Sequence, residues 1–184
     1  MSRESSWDKY VLEALWSIQK QNNTREFGKL VQHGNEVFQR DWIEENTSLK
    51  IATRNDGDVN ESGYDHVTTQ GLRIQCKYRV SELHLENTRR HSKKNKGAAS
   101  KSGHTAYSVG EADVYVFTRP KDKNKEALMA GIEGAELLAI PEYELEDPKN
   151  PGFLKTRVLK HLQEKYQGMA IEILERMNRE SANK

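Results

Sequence analysis

Apolar residues recur at helical spacing twice near the start of the chain. Trp7, Val11, Leu15 and Ile18 follow Ser5 and Ser6, either of which can cap, and predict a short helix over residues 6–19. The polar run Gln21-Asn22-Asn23-Thr24 interrupts it. A longer helix is predicted over about residues 24–45, with Phe27, Leu30, Val31, Val37, Phe38 and Trp42 in one stripe. Gly34 falls on the same side, where its small size would admit a close neighbour. The period then changes to two. Strands are predicted over residues 49–54, 64–68, 72–80, 112–118 and 136–140, the last stopped by Pro141. Turn-rich stretches at 55–58 and 60–63 part the first two, and Pro148 and Pro151 bracket a later loop. A long closing helix is predicted over residues 154–179, where Val158, Leu162, Tyr166, Met169, Ala170, Ile173 and Met177 keep helical register. Helix, helix, strands and helix in that order predict an α/β fold, a central mixed β-sheet flanked by helices. No repeat or linker divides the chain, and 184 residues suffice for one core. A single domain is expected, with an N-terminal helical extension (1–23), a core (24–141) and a C-terminal helix (152–180).

The segment Leu72-Arg73-Ile74-Gln75-Cys76-Lys77-Tyr78-Arg79-Val80 carries the most information. Alternation along a strand puts Leu72, Ile74, Cys76, Tyr78 and Val80 on a core face. Arg73, Gln75, Lys77 and Arg79 then share a polar face suited to an anionic ligand. Thr69-Gln70-Gly71 can join this strand to its predecessor as a three-residue hairpin loop ending in a left-handed glycine. In that register Thr68 opposes Leu72 and Asp65 opposes Gln75, so Asp65, Gln75 and Lys77 project to one side. A two-residue loop would instead pair Asp65 with Cys76 and send the carboxylate to the core side. The glycine favours the first arrangement.

Composition narrows the setting. No stretch nears the roughly 18 apolar residues of a membrane span, and residues 1–10 lack a signal-peptide core. A cytoplasmic protein without membrane contact is expected. The lone cysteine, Cys76, excludes an internal disulfide and argues against thiolate zinc. The formal net charge is only +1, but residues 73–105 hold nine Lys or Arg against two acids. Such concentration suits either a phosphate-binding surface or a solvated loop. Six scattered histidines show no metal-site spacing.

An Asp closing one strand, then an acid or amide, any residue and Lys on the next, resembles the PD-(D/E)xK nuclease signature. Here it reads Tyr64-Asp65, then Gln75-Cys76-Lys77. Members often carry a further Glu on a preceding helix, and Gly34-Asn35-Glu36 is similar. The wider strings Gly63-Tyr64-Asp65-His66-Val67 and Leu72 to Lys77 resemble the branch of homing endonucleases associated with group I introns, which includes members with Gln at the second position. So does the block from Tyr107 to Phe117, together with Leu138-Ala139-Ile140-Pro141. The likeness covers about residues 34–141.

The resemblance implies a restriction-endonuclease-like core and a Mg²⁺-dependent DNA endonuclease of homing or restriction type, with Mn²⁺ able to substitute. It implies Glu36, Asp65, Gln75 and Lys77 as catalytic residues. Asp65, Gln75, the Cys76 carbonyl and Glu36 would hold the metal. Gln75 supplies an oxygen but no charge, so weak metal binding without DNA is expected. Double-stranded DNA would meet Arg73, Arg79, Arg89, Arg90, Lys93, Lys94, Lys96, Lys101 and His104, with Tyr107 also in reach. Asp113 reads as a strand-end carboxylate. Duplex cleavage implies a homodimer or larger assembly, with the last helix as core or dimer seam. The alternatives are a structure-specific nuclease such as a Holliday-junction resolvase, an inactive nuclease-like DNA-binding module, or a plain interaction protein.

Overall fold

The computed structural model describes residues 24–54, 64–79, 83–85, 107–119 and 135–183. The predicted first helix, the 55–63 loop and the basic residues Arg89, Arg90, Lys93, Lys94, Lys96, Lys101 and His104 lie outside them. The described elements are helix α1 (Thr24–Asn46), strands β1 (Ile51–Arg54), β2 (His66–Thr68), β3 (Arg73–Tyr78), β4 (Val114–Arg119) and β5 (Glu136–Pro141), and helices α2 (Lys160–Tyr166) and α3 (Ala170–Ser181). The strands form one sheet in the order β1-β2-β3-β4-β5. Only β3 and β4 run parallel; the other neighbours are antiparallel. The sheet is therefore mixed, with helices beside it, as the α/β expectation requires.

Local chemistry explains the pairing. Thr68 N–H donates to Leu72 O (3.0 Å), Gly71 N–H turns back to Thr68 O (2.9 Å), and Gly71 sits at φ +89°. That is the three-residue loop, and His66 pairs with Ile74 and Val67 with Arg73. An alanine at position 71 would meet no crowding but would hold a backbone that L-residues avoid. Gly71→Ala should lower unfolding free energy by about 1–2 kcal/mol, read by urea denaturation. An unchanged midpoint would mean the turn does not hold this register.

Strand β4 is interior, between β3 and β5, and reads as a nearly unbroken apolar run, Val114-Tyr115-Val116-Phe117, all fully buried. Its Tyr115 lies level with Gln75 on β3 and Ile140 on β5, and Phe117 level with Lys77 and Leu138. One sheet face thus carries Gln75 and Lys77 beside aromatic and aliphatic side chains. The opposite face carries Ile74, Cys76, Val116 and Thr118, and receives α1.

Helix α1 contacts the sheet differently from its predicted stripe. Its deeply buried line is Asn35, Gln39 and Ile43, and two of the three are amides. Gln39 Nε2 donates to Val116 O (3.1 Å) and Thr118 Oγ1 (2.8 Å), and lies 3.4 Å from Lys77 O. Phe38 and Trp42 pack beside that line. Gly34, expected at a close approach, is instead exposed, and a β-carbon there would have no described neighbour within 4 Å.

The single closing helix does not form. Residues 154–158 are extended: Leu85 N–H donates to Thr156 O (2.9 Å) and Val158 N–H to Leu83 O (2.9 Å). Helix α2 then stops at Tyr166, Gly168 turns at φ +73°, and α3 begins at Ala170. The apolar spacing misled because Val158, Leu162, Tyr166, Ala170, Ile173 and Met177 are all buried although the backbone between them changes course. Helix α3 reaches the hairpin turn: Thr68 Oγ1 donates to Asn178 Oδ1 (2.6 Å) and Asn178 Nδ2 to Gln70 Oε1 (3.2 Å). Among the described residues no helix is long and apolar enough to cross a membrane.

Candidate active site

The site opens where β2 and β3 part. Pairing runs as far as His66 and Ile74; one residue earlier the Asp65 N–H donates to Ile74 O (2.8 Å) instead of meeting Gln75. A strand residue directs its N–H and C=O to the same neighbour. With β2 gone, Cys76 turns both groups to other partners. Its N–H donates to Asp65 Oδ2 (2.6 Å), and its carbonyl accepts from Gln32 Nε2 (3.3 Å) and, at 3.4 Å, from Gln75 Nε2.

Gln75 Nε2 also donates to Asp65 Oδ2 in a short contact. Asp65, Gln75 and Lys77 therefore occupy one pocket, as the hairpin register predicts. That polar face is not open to solvent: Gln75 is 5% and Lys77 7% exposed. Burial of so polar a pair is costly unless each group is partnered. Lys77 Nζ donates to Tyr107 Oη in another short contact and lies 4.6 Å from the centre of that ring.

Glu36 arrives from α1. Its Oε1 accepts from Gln32 Nε2 (2.7 Å), one helical turn away. Its backbone carbonyl lies 3.0 Å from His66 Nε2, and since a carbonyl only accepts, that ring nitrogen donates. Asp65 feels the result. Loss of hydration pushes its carboxyl up to about 7; Lys77 opposes the rise, the Glu36 charge adds to it, and the Cys76 N–H opposes it again. Burial, with the charges of Asp65 and Glu36, also drives the Cys76 thiol well upward, so Cys76 contributes its backbone carbonyl and not a thiolate.

The donor set consists of hard oxygens: two carboxylates, one carbonyl and an amide that presents oxygen only after turning over. This suits Mg²⁺ and not zinc. Two acids crowded in a poorly hydrated pocket, one held near neutrality, fit a bound divalent cation that would relieve both. Among the described residues no three His, Cys, Asp or Glu side chains group as metal ligands.

Three residues expected at DNA have partners within the fold. Arg73 grips Asp113 through Nε and Nη2 (both 3.1 Å) and the Gly110 carbonyl through Nη1 (2.7 Å), tying β3 to the loop before β4. Arg79 donates to His84 O (3.0 Å) and Tyr78 O (2.8 Å). Both guanidinium groups thus have internal partners where phosphate contact was expected. Tyr107, expected in reach of DNA, is 4% exposed and faces Lys77. Asp113 is the strand-end carboxylate of the sequence reading.

The sequence reading missed Gln32 and His66 as site residues, and set Tyr107 toward DNA and not beside Lys77. Gln32 stands four positions before Glu36 and could have been found by asking which neighbours share its helix face. His66 follows Asp65 and has the core-side parity of Ile74. Tyr107 is distant in sequence and carried no such signal. Comparison with family models, curated proteins and solved structures gives no match.

Proposed function

We propose that this chain is a Mg²⁺-dependent DNA endonuclease of the PD-(D/E)xK kind, with a restriction-endonuclease-like core. The observation that carries the reading is the convergence of Asp65, Gln75, the Cys76 carbonyl and Lys77 at the parting of β2 and β3, with Glu36 brought in by the preceding helix. A helix bearing an acid ahead of the hairpin is what the resemblance implies. The basic segment that follows β3 in sequence supplies the positive charge DNA binding needs.

Asp65 and Glu36 would hold the cation by charge, and the Cys76 carbonyl and the turned Gln75 amide would complete the oxygen set. A bound Mg²⁺ supplies a water of lowered pKa and stabilises charge developing on the phosphate. Lys77 keeps an ammonium beside the carboxylates, where it would orient the attacking water and balance phosphate charge. Cys76 N–H fixes Asp65 Oδ2, and the other carboxylate oxygen would be the one to meet the cation. Gln32 and His66 position Glu36 through its side chain and backbone.

An inactive DNA-binding module is favoured by one observation: the Gln75 amide meets Asp65 with its NH₂ and adds no charge. Plasmid nicking separates the two. Supercoiled DNA should convert to nicked or linear forms with Mg²⁺ and stay intact with EDTA. DNA binding should weaken about 10³-fold or more between 50 and 200 mM salt, if six or more phosphates are neutralised. Salt-sensitive binding without cutting in Mg²⁺ or Mn²⁺ would leave the module; a protein that neither binds nor cuts would overturn both.

A further inference from the structure

We infer that Tyr107 is the positioning residue for the Lys77 ammonium, an inference that rests on the nuclease reading for its catalytic meaning but not for its physical content. A lysine ends in a flexible four-carbon stem with three rotatable donors, so burial alone does not aim it. Tyr107 supplies the aim in two ways. Its hydroxyl accepts from Lys77 Nζ, and the centre of its ring lies 4.6 Å from the same nitrogen, within cation–π range.

The tyrosine is itself held. Its ring meets Tyr115 edge to face, at 5.7 Å between centres and 71° between planes. Tyr115 belongs to interior strand β4, level with Gln75. The Tyr107 backbone carbonyl accepts from Leu154 N–H (2.8 Å), which ties it to the extended segment before α2. The ammonium is thus referenced to β4, the strand that pairs with the one carrying Gln75 and Lys77. The partner is also neutral. A carboxylate in this place would aim Lys77 equally well but would cancel the charge that a phosphate requires. A phenol hydroxyl fixes direction and leaves the positive charge in the pocket.

The test begins with the metal-free, DNA-free full chain, ¹⁵N-labelled at lysine. The Lys77 ammonium resonance, assigned by its loss in Lys77→Arg, should be visible through slow exchange with water. In Tyr107→Phe, which keeps the ring and removes the acceptor, that resonance should broaden or vanish while circular dichroism stays unchanged. With Mg²⁺ and plasmid, the same variant should lose roughly 10-fold to 100-fold in kcat, the worth of one hydrogen bond to a charged group, with KM for DNA little altered. An unchanged ammonium signal in Tyr107→Phe overturns the assignment. A fall in KM-dependent binding with kcat intact overturns it as well. Should the wild type cut nothing, the nuclease reading fails, and the resonance still decides whether Tyr107 holds Lys77. If Tyr107→Phe does not fold, 3-fluorotyrosine placed at position 107 keeps the shape and weakens the acceptor. The Lys77 resonance should then shift, and a resonance that stays put overturns the inference.

Discussion

Asp65→Asn should abolish Mg²⁺-dependent cleavage and, in the same protein, raise thermal stability at pH 8. The loss of activity follows from removing one of two carboxylates in the proposed cation site. Lys77→Met should fall by about 10²–10³-fold for the matching reason, removal of a fixed charge beside the reacting phosphate. The gain in stability follows from the Asp65 carboxyl, held up to about 7 in the fold against 3.8 in its ordinary state, chiefly by lost hydration. Between those values the folded protein holds a proton that the unfolded chain has released. Stability from this group is therefore fully present below about pH 4 and is lost as pH rises through about 7. Asparagine has no charge to hydrate, and its side-chain oxygen can still accept from the Cys76 N–H. Relative to wild type, Asp65→Asn should gain a few kcal/mol at pH 8 and almost nothing at pH 4. Urea denaturation at the two pH values reads the difference directly. Equal gains at both would remove the buried carboxylate as the cause, and a loss at pH 8 would mean that Asp65 stabilises the fold.

Gln75→Glu should tighten Mg²⁺ binding at the proposed site at the expense of the metal-free protein. The wild-type amide donates to Asp65 Oδ2 and is 5% exposed, so the new carboxyl would meet Asp65 at hydrogen-bond distance with little water. Two such acids cannot both ionise cheaply, and one would keep a shared proton near neutral pH. Without metal, the variant should lose about 1–3 kcal/mol at pH 8. With Mg²⁺, the added charge should tighten binding roughly 10-fold or more, and saturating metal should restore much of the lost stability. Isothermal titration and melting with and without Mg²⁺ test both halves. A variant that melts like wild type in EDTA and gains nothing from Mg²⁺ would show that Gln75 does not face the cation.

The hairpin was the most legible part of the chain. Gly71 announces a left-handed turn, and once the turn length is known, two-residue alternation decides which side Asp65, Gln75 and Lys77 take. Strand β4 was legible for a different reason, since its apolar run has few alternatives in a mixed sheet. Helix α1 was legible as a helix but not in its orientation. Hydrophobic patterning looks for buried carbon, whereas α1 buries Asn35 and Gln39, the latter satisfying carbonyl and hydroxyl oxygens of the sheet. The break at Gly168 was hidden because apolar residues continue at four-residue spacing across it. Tyr107 was beyond reach because its partner lies thirty residues away and no local period links them.

The bond from Thr68 to Asn178 spans 110 residues. During synthesis at roughly 5–20 residues per second, the hairpin emerges about 5–20 s before the helix that braces its turn. For that interval all five strands can be present while the hairpin turn still lacks its Asn178 contact. The turn is therefore braced late, when α3 docks on it from the end opposite Asp65. Completion of the chain, and not the hairpin alone, then sets when the turn that fixes this register is fully held.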